Sequence, residues 1–175
     1  MSNLTRRDAS ATSGGELTTG AQTIAGAKTF SGATTLSGGL VGKTDGVAVA
    51  AGYVGQVLTA SLSNVALTVS GTVYNAGSLA LTAGTWLVRA KIVFGGAGIT
   101  QTQCRVSLST TSAILDTQSF IDDLSVGITS ARTVKADRYL TTTGTTIYAT
   151  ASCAFTGTAP ATDASNSYIE AIRIA

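Results

Sequence analysis

Residues 46–175 alternate between apolar and polar positions in four stretches, which is the pattern of antiparallel β-strands. Successive side chains of a strand point to opposite faces, so each stretch predicts a strand with one buried face. The clearest row runs from Trp86 to Phe94, with Val88, Ala90 and Ile92 in phase. Similar rows cover residues 65–69, 102–108 and 147–155. No helix is predicted, and the whole region is typical of an antiparallel β-sandwich.

Glycine-bearing clusters separate these rows and predict turns, because glycine reaches backbone conformations that other residues avoid. The predicted turns are Ala83-Gly84, Gly95-Gly96, Thr143-Gly144 and Asp163–Asn166. The stretch from Ile114 to Ile128 is interpreted as a loop followed by a strand.

The final strand, residues 167–175, is apolar on both faces. Ile169 and Ala171 share one side, while Tyr168, Ile172 and Ile174 share the other. A strand of this kind is normally covered on both sides. Its own sandwich covers one side, and we expect a sister subunit to cover Tyr168, Ile172 and Ile174.

A six-residue repeat occupies residues 23–40, which read TIAGAK, TFSGAT and TLSGGL. Six is an even spacing, so Ile24, Phe30 and Leu36 point the same way in an extended chain. One short segment cannot bury that row alone, and a short fixed period is typical of stacked turns or chains. The repeat predicts a fibrous shaft whose core is formed by Ile24, Phe30 and Leu36 of several chains.

The composition also favours an oligomer. Charged residues make up 11% of the 175 residues, against roughly 25% in an average soluble protein. Cover by sister subunits explains so low a charge, although a plain neutral surface is the alternative. The net charge is +2 and the basic residues are scattered, which argues against nucleic-acid binding.

The chain therefore divides into a polar arm (residues 1–20), a shaft with its linker (21–45) and a β-sandwich (46–175). The arm contains Arg6 and Arg7 but no apolar run after them, so we expect no signal peptide and synthesis in a cytoplasm. Because no uninterrupted apolar stretch reaches about 18 residues, we also expect no membrane insertion.

Residues for catalysis and metal binding are sparse. There is no histidine, so the common general bases, triads and zinc sets are missing. Asp122 and Asp123 are adjacent, and solvated loop carboxylates are favoured over a calcium site or a glycosidase pair. Cys104 and Cys153 are interpreted as buried free thiols, and their pairing stays open. We expect no enzyme activity, metal or cofactor.

Aromatic residues offer the remaining contacts for a ligand. Trp86 is assigned to the core because it begins an apolar row, although it could stack on a sugar. Tyr53, Tyr74 and Tyr139 are candidates for glycan contact, with contact between subunits as the alternative for each.

The segment QTIAGAKTF (residues 22–30) resembles a shaft motif of tailed-bacteriophage fibre and appendage proteins. Segments GQVL (55–58), LTAGTWLV (81–88), IYATA (147–151) and YIEAIRI (168–174) are similar to the C-terminal β-sandwich of these proteins, in the same order. The resemblance covers residues 20–175. Relatives serve as tail fibres, head fibres and capsid decoration.

The resemblance implies a homotrimer wound about one axis, with jelly-roll-like heads and an N-terminal attachment to other virion proteins. Leu4, Arg6 and Arg7 are then the candidate anchor. The expected function is a virion structural protein that binds host-surface glycan or reinforces the capsid. Two alternatives stay open: a polysaccharide depolymerase with carboxylates at a subunit cleft, and a ligand of the collagen-head type, for which a G-X-Y stretch is missing.

Overall fold

The computed structural model of the protein describes residues 29, 31–34, 45, 47–95, 98–117, 120–128 and 130–175. All strand pairs among them are antiparallel, which confirms the all-β prediction. The strands are β1 (Val57–Ser61), β2 (Val73–Gly95), β3 (Ile99–Ser109), β4 (Phe120–Ile128), β5 (Arg132–Gly157), β6 (Ala161–Thr162) and β7 (Tyr168–Arg173). The described residues contain one short 3₁₀ turn, Ala164–Asn166, and no α-helix. It lies where the Asp163–Asn166 turn was predicted.

The strands follow the order β1-β7-β2-β5-β3-β4, with β6 beside β2. Two of them are far longer than the usual five or six residues, since β2 has 23 residues and β5 has 26. They pair along almost their whole length and form the ribbon to which the other strands attach. The late part of β2 carries β7 and then β1, while the late part of β5 carries β3 and then β4.

Two of the predicted turns are wrong. Gly84 lies inside β2 and Gly144 lies inside β5, nearly opposite each other, with Thr82 paired to Gly144 and Gly84 to Thr142. Their φ angles are 147° and 132°, which favour glycine. The chain does not reverse there; instead the ribbon changes the face that it buries. Glycine is needed for this unusual backbone conformation, but the conformation belongs to a bend within paired strands and not to a turn.

The change of face shows in the buried positions of β2. Between the bulge at Asn75/Gly77 and Gly84 the buried side chains are odd-numbered, at Leu79 and Leu81. From Trp86 to Ile92 they are even-numbered. β5 changes in the same way between Ala136 and Ile147. The two parts of the ribbon contribute to one hydrophobic cluster, an arrangement consistent with the predicted β-sandwich.

Trp86 is fully buried in this cluster, as predicted. Its indole Nε1 donates a hydrogen bond to the Thr82 carbonyl oxygen at 3.0 Å, so the polar edge of the ring is satisfied. The Arg173 guanidinium lies 5.2 Å from the ring centroid and donates to the Ala83 carbonyl oxygen. The end of β7 is thereby fixed against the bend at Gly84.

The strand predicted at residues 65–69 is much shorter in the structure. Only Ala66 forms a bridge, to Ala161, and Val69 is exposed. Leu67 N donates to the Pro160 carbonyl oxygen, but proline has no N–H to return and the ladder stops there. The Tyr74 hydroxyl accepts from Val69 N at 3.0 Å, so this N–H is bound to a side chain and not to a neighbouring strand.

A bulge in β3 also interrupts the strict alternation of buried and exposed side chains. The register shifts between Gln101 and Gln103, so Thr102 is exposed and Gln101 is buried. Beyond the bulge, Cys104, Val106 and Leu108 are buried as predicted. An extra residue in one strand is enough to exchange the faces locally.

Candidate interaction surface

The outward side of β7 carries the side chains that the sequence assigned to a subunit contact. Burial alternates along the strand, with Ile169 and Ala171 in the core and Tyr168 and Ile172 on the other side. Ile174 follows just past the strand and is exposed. The predicted division of β7 into two faces is therefore confirmed, and cover by a sister subunit stays a prediction.

Strand register extends Ile172 into a row of apolar side chains across four strands. Val57 of β1 lies opposite Ile172, Ile172 lies opposite Leu87 of β2, and Leu87 lies opposite Tyr139 of β5. Partners in adjacent strands point to the same face. The row ends are open, since Val57 is 54% and Tyr139 72% exposed. We call Val57, Ile172, Leu87 and Tyr139 the apolar row.

The row next to it on the same face is charged. Thr59, Glu170, Arg89 and Asp137 are aligned by the same register. Arg89 lies between two carboxylates, with Nε 3.8 Å from Asp137 Oδ1 and Nη1 3.8 Å from Glu170 Oε1. At that length and exposure each pair stabilises the fold by at most about 1 kcal/mol. Their main effect is to set a polar border beside the apolar row.

Tyr168 belongs to the row beyond, with Ser61, Lys91 and Lys135. Lys91 Nζ lies 5.6 Å from the centroid of the Tyr168 ring, within the range of a cation–π contact. The three predicted interface residues thus share a face but have different neighbours. Ile172 is in the apolar row, whereas the charged row separates Tyr168 from it.

On the other side of the apolar row the face is lined by threonines. Thr85 and Thr141 are register partners, and their hydroxyl oxygens are 3.1 Å apart. Ile174 N donates to the Thr85 carbonyl oxygen at 2.8 Å, so Ile174 lies at this border. The apolar row therefore lies between a threonine border and a charged border.

The three tyrosines proposed for glycan contact lie on separate parts of the domain. Tyr139 is in the apolar row, and Tyr53 lies before β1, which β7 and β2 separate from β5 in the sheet. Tyr53 lines an open cleft of about 580 Å³ with Val49, Ala50 and Val54. The Tyr74 hydroxyl is bound to Val69 N and to Thr68 Oγ1, both at 3.0 Å.

A depolymerase requires a pair of carboxylates, and Asp137 and Glu170 lie on the same face of the sheet. Arg89 lies between them on an open sheet face. Asp116 is bound instead to Arg138, with 2.7 Å between Oδ2 and Nη1. No group of three or more potential metal ligands occurs among the residues that the structure describes. No described helix is long and apolar enough to cross a membrane.

Several predicted site residues lie outside the described residues. They are the arm residues Leu4, Arg6 and Arg7 and the shaft residues Ile24, Phe30 and Leu36.

Sequence reasoning missed Val57 and Leu87 as members of the exposed face. Leu87 does carry a signal, because it is out of phase with the Trp86 row and so points away from the core. Val57 carries no such signal. Only the pairing of β1 with β7 brings it beside Ile172.

A scan against protein-family models finds no match, and a search of curated proteins finds none. Among solved structures, the chain is similar to two chains of infectious bursal disease virus, one from the Gx strain and one from the VP2 subviral particle. The sequence identities are 10% and 12%, and the TM-scores are 0.40 and 0.39. The alignments cover 68% and 67% of this chain and 33% of each viral chain. The protein spans about a third of the length of those chains, and a likeness of this size assigns it neither a family nor a function.

Proposed function

We propose that this chain is a non-enzymatic structural protein of a virion, a homotrimeric fibre, spike or capsid decoration protein of the tailed-phage type. Residues 1–20 attach it to other virion proteins, residues 21–45 form the shaft, and residues 46–175 form the displayed head. It is made in the host cytoplasm and carried on the particle. The resemblance of residues 20–32 to phage shaft segments supports the assignment to a virion.

The observation that carries the proposal is the apolar row. Its four side chains lie side by side on one sheet face, between the threonine border and the charged border. A contiguous exposed apolar patch with a polar rim is typical of a protein interface. The occupant is a neighbouring copy of the same chain, because the low charge and the repeat both favour self-association.

The shaft explains how a contact as narrow as the apolar row can be occupied between the heads. Ile24, Phe30 and Leu36 hold three chains about one axis, so their heads stay close together. Contacts between linked modules form at an effective concentration near the millimolar range. A contact that is weak between free heads is then occupied in the trimer, and the row needs only to orient the heads.

The cleft at Tyr53 is the part of the head that we assign to host contact. Its mixture of aliphatic walls and one tyrosine suits the apolar face and hydroxyl rim of a sugar. One such cleft binds weakly, but three per trimer and many trimers per particle raise avidity. Where no glycan is bound, the same trimer would serve as capsid reinforcement.

Removal of the arm tests the virion assignment. In the virus that encodes the chain, deleting residues 1–20 should leave a soluble oligomer that is missing from purified particles. Immunoblotting of gradient-purified particles measures this loss, which should exceed tenfold. Substituting Leu4, Arg6 and Arg7 together by alanine should reproduce it, whereas the control Ser10→Ala/Ser13→Ala should not. Incorporation of the shortened chain at the normal copy number would contradict the proposed anchor.

A further inference from the structure

The two cysteines of the chain are direct neighbours in the sheet. Cys104 of β3 and Cys153 of β5 are register partners, although they are 49 residues apart in sequence. Both side chains are fully buried on the core side, neither sulfur is in a disulfide bond, and the two sulfur atoms are 3.0 Å apart. Antiparallel partners have Cα atoms about 4.5–5.5 Å apart, which lies inside the range of about 4.4–6.8 Å found in disulfides.

Polar side chains lie next to the two cysteines, although the pair is in the hydrophobic core. The Cys104 sulfur lies 3.1 Å from Gln101 Oε1 and 4.0 Å from Arg132 Nη1. Gln101 and Arg132 are themselves buried. A hydrogen bond from Cys104 lowers the pKa of the Cys153 thiol, and the positive charge of Arg132 lowers it further, while burial opposes both effects. These groups favour the thiolate, which is the form that attacks a disulfide.

We propose that Cys104 and Cys153 form a cross-strand disulfide within one chain when the protein meets a low-molecular-weight disulfide such as oxidised glutathione. One cysteine thiolate attacks a sulfur of the oxidant, the oxidant's S–S bond breaks, and a small thiolate leaves a mixed disulfide behind. The second cysteine thiolate then attacks the protein sulfur of that mixed disulfide and expels the second small thiolate. The two leaving thiolates take up the protons that the two cysteines lost. The two protein sulfurs lose two electrons, and the small disulfide is reduced to two thiols.

This inference goes beyond the proposed function, which needs no redox step. In a reducing cytoplasm both thiols persist, and they oxidise after the protein is released. Because both sulfurs are buried, the oxidant reaches them by local opening, for which the edge strand β4 beside β3 is a route. The bond closes the loop from Cys104 to Cys153, which contains β4 and most of β5, and so restricts the unfolded chain.

The experiment uses the full chain, incubated with oxidised glutathione or with a reductant. After oxidation we expect no titratable thiol in the denatured protein and a mass lower by two hydrogens. Trypsin should release fragments 92–105 and 139–173 as one disulfide-linked species. The midpoint of thermal unfolding should rise by roughly 5–15 °C and return after reduction.

Cys153→Ala is the matched control, because it keeps a small apolar side chain and removes one sulfur. The same oxidant should leave its midpoint unchanged and yield no linked fragments. Three outcomes for the natural chain would overturn the proposal. They are two titratable thiols in the denatured protein after incubation of the full chain with oxidised glutathione, stable glutathione adducts on each cysteine, or bonds only between chains.

Discussion

In a chain that begins at residue 46 and therefore lacks the shaft, Ile172→Asp is expected to convert the oligomer of heads into folded monomers. Ile172 lies in the middle of the apolar row, between Val57 and Leu87 and one position along the face from Glu170. A carboxylate there must be desolvated when a neighbouring head covers the row, and Arg89 of the adjacent charged row already lies between two carboxylates. An unpaired buried charge costs about 3–4 kcal/mol, so the association constant should fall by roughly 10²- to 10³-fold.

The measurement is light scattering over a concentration series, with circular dichroism to verify that the subunit is folded. Ile114→Asp is the matched control, since it makes the same substitution at an exposed loop isoleucine and should leave the oligomer intact. Ile172 is half-buried, so Tyr139→Asp provides a second variant at the most exposed position of the row. If both variants of the chain beginning at residue 46 are folded and keep the mass of the unsubstituted heads at every concentration, the apolar row is not a subunit contact.

Gly84→Ala is expected to destabilise the head by about 2–4 kcal/mol. The φ angle of Gly84 is 147°, a conformation that side chains rarely adopt. A Cβ atom would also overlap Arg173 Nη2 and lie 2.8 Å from the Ala175 carbonyl oxygen. Arg173 cannot move away freely, because it donates to the Ala83 carbonyl oxygen and packs on Trp86.

Urea unfolding followed by Trp86 fluorescence measures this loss, and the midpoint should fall by about 1–2 M. Gly95→Ala is the control, because its Cβ meets nothing within 4 Å, and its stability should change by less than about 0.5 kcal/mol. Gly144→Ala separates the two causes. Its φ angle is also positive, but its Cβ approaches only the Leu81 carbonyl oxygen at 3.9 Å, so the loss should be intermediate. A midpoint for Gly84→Ala equal to that of Gly95→Ala would show that the bend tolerates a side chain.

The sequence predicts the core rows well because burial on one face imposes a period of two. Trp86 and Val88 in β2, and Ile147 and Ala149 in β5, are buried where alternation puts them. The two faces of β7 are recovered for the same reason. These predictions depend only on residues that are close in sequence.

Features that depend on distant partners could not be predicted in the same way. A glycine serves equally in a turn or in a bend within paired strands, and only the long pairing of β2 with β5 decides between them at Gly84. The apolar row needs three registers at once, so neither Val57 nor Tyr139 identifies it alone. The pairing of Cys104 with Cys153 is equally non-local, because it requires β3 to lie beside β5.

The mass of the natural chain in solution decides whether the protein is a trimer. Light scattering should give about three times the 17.5 kDa of one chain across the micromolar range. A chain beginning at residue 46 should dissociate at low concentration, because without the shaft its heads are no longer held together. A full chain of 17.5 kDa at every concentration would contradict the trimer, and with it both the shaft and the role of the apolar row.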